Sequence, residues 1–164
     1  RERSKRSGCI RIGSYVVIKK IIEEYRLDEM MAHIIGKDSG LFLDLAAYSI
    51  VTENNAGQYY PEYGYNHPLF TPGMKIYSDT KVSDFLSSVT PDQNIAFLNE
   101  WNAAGDHWEK IYISYDSTNK SCQAGDVEIA EYGYAKDGKD YPLFNYSVAY
   151  DMENRTPLFV ENAR

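Results

Sequence analysis

The stretch Lys110-Ile-Tyr-Ile-Ser-Tyr-Asp116 limits what this chain can become more than any other. Alternation at a period of two sends Ile111, Ile113 and Tyr115 to one side and Tyr112, Ser114 and Asp116 to the other. The pattern predicts a buried strand that ends on Asp116 and breaks into a polar turn at Ser117-Thr-Asn-Lys120. A carboxylate fixed at a rigid strand end, beside hydroxyls and amides, suits a divalent cation held against a substrate phosphate. Aspartate also ends strands for a plainer reason, since its side chain bonds the backbone two residues on, and the pattern leaves both readings open.

Two further strands follow by alternation, Val127 to Tyr134 and Leu143 to Tyr150, with Asp137-Gly138 between them as the turn of an antiparallel hairpin. The chain before residue 107 is helical in pattern. Ser14 offers an N-cap to a helix with Val17, Ile18, Ile21, Ile22 and Tyr25 on one face, broken at Arg26-Leu-Asp28. Asp28 caps a second helix with Met30, Met31, Ile34 and Ile35 inward and Gly36 at its end. A third starts at Asp38 or Ser39, and its predicted buried stripe is Leu41, Phe42, Leu45, Ala46, Ser49 and Ile50. His33, among apolar neighbours, reads as a packing histidine, and His67, before Pro68, as a loop residue.

Residues 53–79 read as an irregular loop whose tyrosines cover the helical core. Stacking on unpaired bases would also use such rings, but the segment Gln58 to Tyr65 has no interleaved Lys or Arg. Val82, Phe85, Leu86 and Val89 suit a short amphipathic helix. Thr90-Pro-Asp-Gln93 is a strong start for the next one, with a hydroxyl cap, Pro at the first position and Gln placed to close a capping box. Ile95, Phe97, Leu98, Trp101 and Ala104 form its predicted buried face, Gly105 ends it, and Trp108 is expected to pack the junction with the sheet. The reading is therefore α+β: a basic arm at 1–13, a helical region at 14–107, and a three-stranded antiparallel meander within 108–164.

Bulk properties narrow the function classes. The 164 residues are 43% hydrophobic and 25% charged, which suits a globular chain able to bury a core. No apolar run reaches the ~18 residues of a membrane span and the opening lacks a signal-peptide core, so a cytoplasmic protein is expected. Cys9 and Cys122 show neither disulfide nor metal-finger spacing. Arg1 stands where an initiator Met would, which suggests a piece of something longer. Residues 1–11 hold five basic residues against one acidic, while the whole chain carries −7, so a basic arm precedes an acidic body. Such an arm is a nucleic-acid contact or, more simply, a solvated tail.

Ser117-Thr-Asn-Lys120, the run Gly133-Tyr-Ala-Lys-Asp-Gly-Lys139, the stretch Tyr141-Pro-Leu-Phe-Asn-Tyr-Ser-Val-Ala-Tyr-Asp151 and Arg155-Thr-Pro-Leu-Phe159 together resemble the start of the catalytic domain in DDE transposases of bacterial insertion sequences. The resemblance covers Ile111 to Phe159 closely and the helical part only in general layout. It implies the first half of a ribonuclease H-like fold, with Asp116 as the first acid of the Asp-Asp-Glu triad and a ligand for Mg2+, or Mn2+ in its place. It also implies DNA as partner, at transposon ends and target, with Lys120, Lys136 and Lys139 as backbone contacts and a second copy of the chain as a further partner. Without the resemblance, Lys136 and Lys139 read as ordinary solvated turn lysines.

Enzymes of this class cut a strand with water and then attack target DNA with the freed 3′-hydroxyl. Two magnesium ions ~4 Å apart serve both displacements, and near-octahedral magnesium needs several carboxylates to fix the pair. Asp126, Asp151 and Glu161 lie near the sheet in sequence, but the first two read as turn residues and Glu161 as part of a frayed terminus. The resemblance places the second Asp and the Glu beyond Arg164, so this segment is expected to bind magnesium weakly and to cut nothing by itself. The alternative is a non-catalytic interaction or regulatory module with an α+β fold. An unrelated hydrolase finds no support in a Ser-centred elbow, a His-Glu pair or a Gly-rich phosphate loop.

Overall fold

A computed structural model of the chain describes residues 9–105, 111–121, 130, 132 and 141–163. Among these are six α-helices and a three-stranded antiparallel sheet, an α+β arrangement. The chain falls into two compact units, Arg1–Glu100 and Trp101–Arg164.

The first unit is helical: α1 (Gly13–Glu24), α2 (Leu27–Ile34), α3 (Ser39–Thr52), α4 (Tyr60–Asn66), α5 (Asp79–Ser88) and the greater part of α6 (Pro91–Ala104). Local signals set most of their limits. Arg26 at φ 54° separates α1 from α2, and Gly36 at φ 75° follows α2. The Ser78 hydroxyl accepts from Lys81 N (3.3 Å) to cap α5. At α6 the capping box forms in both directions, with Thr90 N donating to Gln93 Oε1 (2.9 Å) and Gln93 N to Thr90 Oγ1 (3.3 Å). Ser14 is not a cap; α1 begins at Gly13 without a side-chain hydrogen bond at its N-terminus.

The core forms around α3, where Leu41 and Tyr48 meet Tyr60, Tyr63, Leu69, Val82 and Phe85. The segment expected to be an irregular loop is therefore partly helix. In α4, with Pro61 in its first turn, Tyr60 and Tyr63 point inward while Tyr65, and Tyr59 just before the helix, stay exposed. Three of these rings meet edge to face, Tyr48 with Tyr60 at 6.2 Å and Tyr48 with Tyr63 at 5.5 Å. The α3 stripe is also rotated from its predicted position: Gly40, Leu41, Leu43, Asp44, Ala47 and Tyr48 are buried, while Ala46 and Ile50 are exposed. With apolar residues nearly all round α3, periodicity could not choose a face.

Asp44 is the polar centre of this core, 1% exposed. Its carboxylate accepts from Phe70 N (2.5 Å), Thr71 N (3.1 Å) and Thr71 Oγ1 (2.6 Å). The loop it holds passes so close to α3 that a Cβ on Gly40 would lie 2.8 Å from Thr71 Cα. Burial raises the pKa of Asp44 against the opposing pull of those hydrogen bonds. The same burial raises Tyr60, and it pushes Tyr63 up to about 12. The Tyr60 hydroxyl is enclosed with no hydrogen bond of ordinary geometry.

Four other expectations change. His67 is not an open loop residue; it is buried, stacked on Tyr63 at 4.0 Å, and donates from Nδ1 to Tyr63 O (2.9 Å). His33 is not packed in a core but exposed, with Nδ1 3.0 Å from Glu100 Oε2. On α1, Ile22 is buried while Val17, Ile21 and Tyr25 are exposed. On α6, Ile95 is exposed and Phe97 and Leu98 are half-buried.

The second unit contains the end of α6 and the sheet. Its strands are β1 (Ile113–Ser121), β2 (Leu143–Asp151) and β3 (Thr156–Ala163), antiparallel and in the order β1-β2-β3. A meander is thus present among the described residues, and its β1 and β2 fall on two of the three expected segments. The predicted strand Val127–Tyr134 and its Asp137-Gly138 hairpin lie outside the described residues, save for Ala130 and Tyr132, as does Trp108. A further strand, not expected from the sequence, is Thr156–Ala163, so Glu161 belongs to a paired strand and not to a frayed end.

Asp151 makes the β2–β3 turn. Its Oδ1 accepts from Glu153 N (2.9 Å) and Asn154 N (3.2 Å), and its Oδ2 from Asn154 Nδ2 (2.7 Å). Arg155 at φ 57° completes the reversal. The register shifts between Ala149 and Tyr150, leaving Leu158 as the extra residue beside Pro157, which has no N–H for the ladder. The end of α6 satisfies carbonyls at this irregularity: Trp101 Nε1 donates to Pro157 O (2.7 Å) and Asn102 Nδ2 to Leu158 O (2.9 Å).

Candidate functional site

Asp116 sits within β1 rather than at its end, because Ser117 to Ser121 continue the strand and pair with Ser147 to Leu143. The predicted polar turn is therefore strand. A strand with solvated side chains tolerates Ser, Thr, Asn and Lys, provided the backbone finds a partner, and β2 supplies one. The strand is also exposed where a buried one was expected, with Ile113 60% and Tyr115 56% accessible.

Asp116 lies opposite Val148, which in turn lies opposite Val160. Alternation places Ser114, Thr118 and Lys120 on the same face, and Phe144, Tyr146 and Tyr150 of β2 line that face as half-buried neighbours. The Asp116 side chain is exposed. Lys120, also exposed, stands opposite Phe144. It lies four positions further along the extended strand than Asp116, about 13 Å away along the chain. Lys136, Lys139 and Asp126 lie outside the described residues.

The other acids of the sheet point elsewhere. Asp151 pairs with Ile113, and Glu161 pairs with Ser147 opposite Ser117, so both belong to the face away from Asp116. Asp151 is fully buried in its turn, and Glu161 Oε1 accepts from the Tyr115 hydroxyl (2.7 Å). Among the described residues no three His, Cys, Asp or Glu side chains converge as a metal cage. As a donor set, one carboxylate between two hydroxyl-bearing residues has the hard oxygen chemistry that magnesium prefers. It supplies one protein carboxylate and does not by itself fix a pair of ions.

The Tyr115–Glu161 bond escaped the sequence reading. Its residues lie on strands whose pairing is non-local, and one of those strands had not been anticipated. No helix among the described residues is long and apolar enough to cross a membrane. The chain matches no family model, no curated protein and no solved structure.

Proposed function

We propose that this chain is the opening part of the catalytic region of a DDE transposase, cytoplasmic and acting on DNA, with Asp116 as the first carboxylate of its triad. The observation that carries the reading is the setting of Asp116: an exposed carboxylate on a paired strand of an antiparallel meander, with Ser114 and Thr118 on its face. A meander of this order agrees with the opening half of a ribonuclease H-like sheet. Lys120 on the same face has the sign and reach for a phosphate, and Lys136 and Lys139 belong to the motif on which the resemblance rests.

Magnesium, when bound, would activate the attacking oxygen and neutralise the leaving one. The contribution of this chain is narrower: β1 holds the Asp116 carboxylate in a fixed place on the sheet, facing solvent, where a phosphodiester has access to it. The remaining triad acids must come from outside the described face.

Strand cleavage by the protein that carries this segment, measured on DNA bearing the transposon ends, tests the proposal. Asp116→Asn is expected to lower the rate by about a thousandfold or more while leaving DNA affinity nearly unchanged. An Asn variant with full activity removes Asp116 from the chemistry. The second reading, an interaction module, draws on the exposed Val16, Val17 and Ile21 of α1. It predicts that Asp116→Asn has no effect, whereas charged substitutions on α1 abolish partner binding.

A further inference from the structure

We infer that Tyr115 and Glu161 form a clasp across the back of the sheet that fixes the strand segment carrying Asp116, an inference that rests on the proposed role of that carboxylate. Tyr115 directly precedes Asp116 and leaves β1 on the opposite face. Its ring approaches Phe159 of β3 at 6.0 Å between centroids, and its hydroxyl donates to Glu161 Oε1 at 2.7 Å. Both partners stand on β3, two strands away, at a separation of roughly 10 Å for two inter-strand spacings.

Such a span needs small residues beneath it. The row between Tyr115 and Phe159 is filled by Ala149, 1% exposed, and the row of Glu161 by Ser147, 2% exposed. A larger side chain at either position would fill the space that Tyr115 and Glu161 cross. The clasp therefore joins the two outer members of the β1-β2-β3 order over the small residues of β2. Fixing Tyr115 limits twisting of β1 about its own axis, and the adjoining Asp116 is the residue most directly affected. Tyr115 and Glu161 are positioning residues; neither faces the side on which Asp116 stands.

The test uses this chain with Mn2+ as probe, followed by nuclear magnetic resonance. Tyr115→Phe keeps the ring over Ala149 and removes the hydroxyl, Glu161→Ala removes the acceptor, and Glu161→Gln keeps an acceptor oxygen. Amide hydrogen exchange over residues 114–118 is expected to speed up by about three- to tenfold in Tyr115→Phe and Glu161→Ala, with the Mn2+ dissociation constant read at Asp116 rising by a similar factor. Glu161→Gln is expected to stay near the parent in both. Parent-like exchange in Tyr115→Phe and Glu161→Ala, or a Gln variant as impaired as the Ala variant, overturns the clasp. Unchanged Mn2+ affinity despite faster exchange overturns its positioning role. If Mn2+ broadens the parent no more than Asp116→Asn, the cation reading of Asp116 fails instead, and the exchange rates still decide the clasp.

Discussion

Asp44 and Asp116 have opposite surroundings, and the difference decides what each can do. Asp116 stands in solvent, where a carboxylate is available to a ligand. Asp44 is enclosed, and its oxygens are taken by Phe70 and Thr71. Because burial outweighs those hydrogen bonds, its folded pKa lies above the ordinary aspartate value. The sign follows by linkage: a raised folded pKa contributes stability that is fully present below the unfolded value of about 4 and is lost as pH rises through the folded one. Asp44→Ala leaves three donors without an acceptor and is expected to cost ~3 kcal/mol or more in urea unfolding. The gap between parent and Asp44→Ala should narrow as pH rises from about 3 to 7. A gap that widens instead means the charged carboxylate is the favoured buried form. Nothing local marked Asp44 as buried, since an acid within an apolar helix reads equally well as its solvated side.

At the scale of elements, the signals that act within a few residues were legible. Thr90-Pro-Asp-Gln93 forms its capping box. Thr90 is exposed, so Thr90→Ala removes the cap and little else. It is expected to lower stability by ~1 kcal/mol, seen as a lower urea midpoint with an unchanged slope. An unaltered midpoint means that the first turn of α6 is held by something other than its cap. The limits of β1 were not legible, because a run of Ser, Thr, Asn and Lys becomes strand only when a distant segment offers its ladder. The same holds for β3, which contains a proline and a register shift, both poor strand signals, and whose carbonyls find partners on Trp101 and Asn102.

For the whole molecule, charge sets the expectation. With −7 overall and five of its basic residues within the first eleven, the chain has little cationic surface with which to hold a duplex. Its DNA affinity is expected to be no better than the ~10⁻⁴ M end of non-specific binding at physiological salt, and to fall steeply as salt rises. Removing residues 1–11 should abolish most of that binding in fluorescence anisotropy. If the truncated chain binds as before and Lys136→Ala with Lys139→Ala does not, the contact belongs to the lysine-flanked turn and the basic arm is a solvated tail.

By itself the sequence determined the α+β division, the alternation of β2, the turn role of Asp151, the helix start at Thr90, and the candidacy of Asp116. These depend on capping groups, side-chain periods and turn chemistry, all of which act over a few neighbouring residues. Only the tertiary structure decided which side of α3 is buried, that Tyr60 and Tyr63 belong to a helix, that Asp116 stands in mid-strand, and that Asp151 and Glu161 face away from it. Those outcomes depend on partners dozens of residues away. A strand's end, a helix's buried side and the company of a carboxylate are properties of pairing and packing, which no local pattern contains.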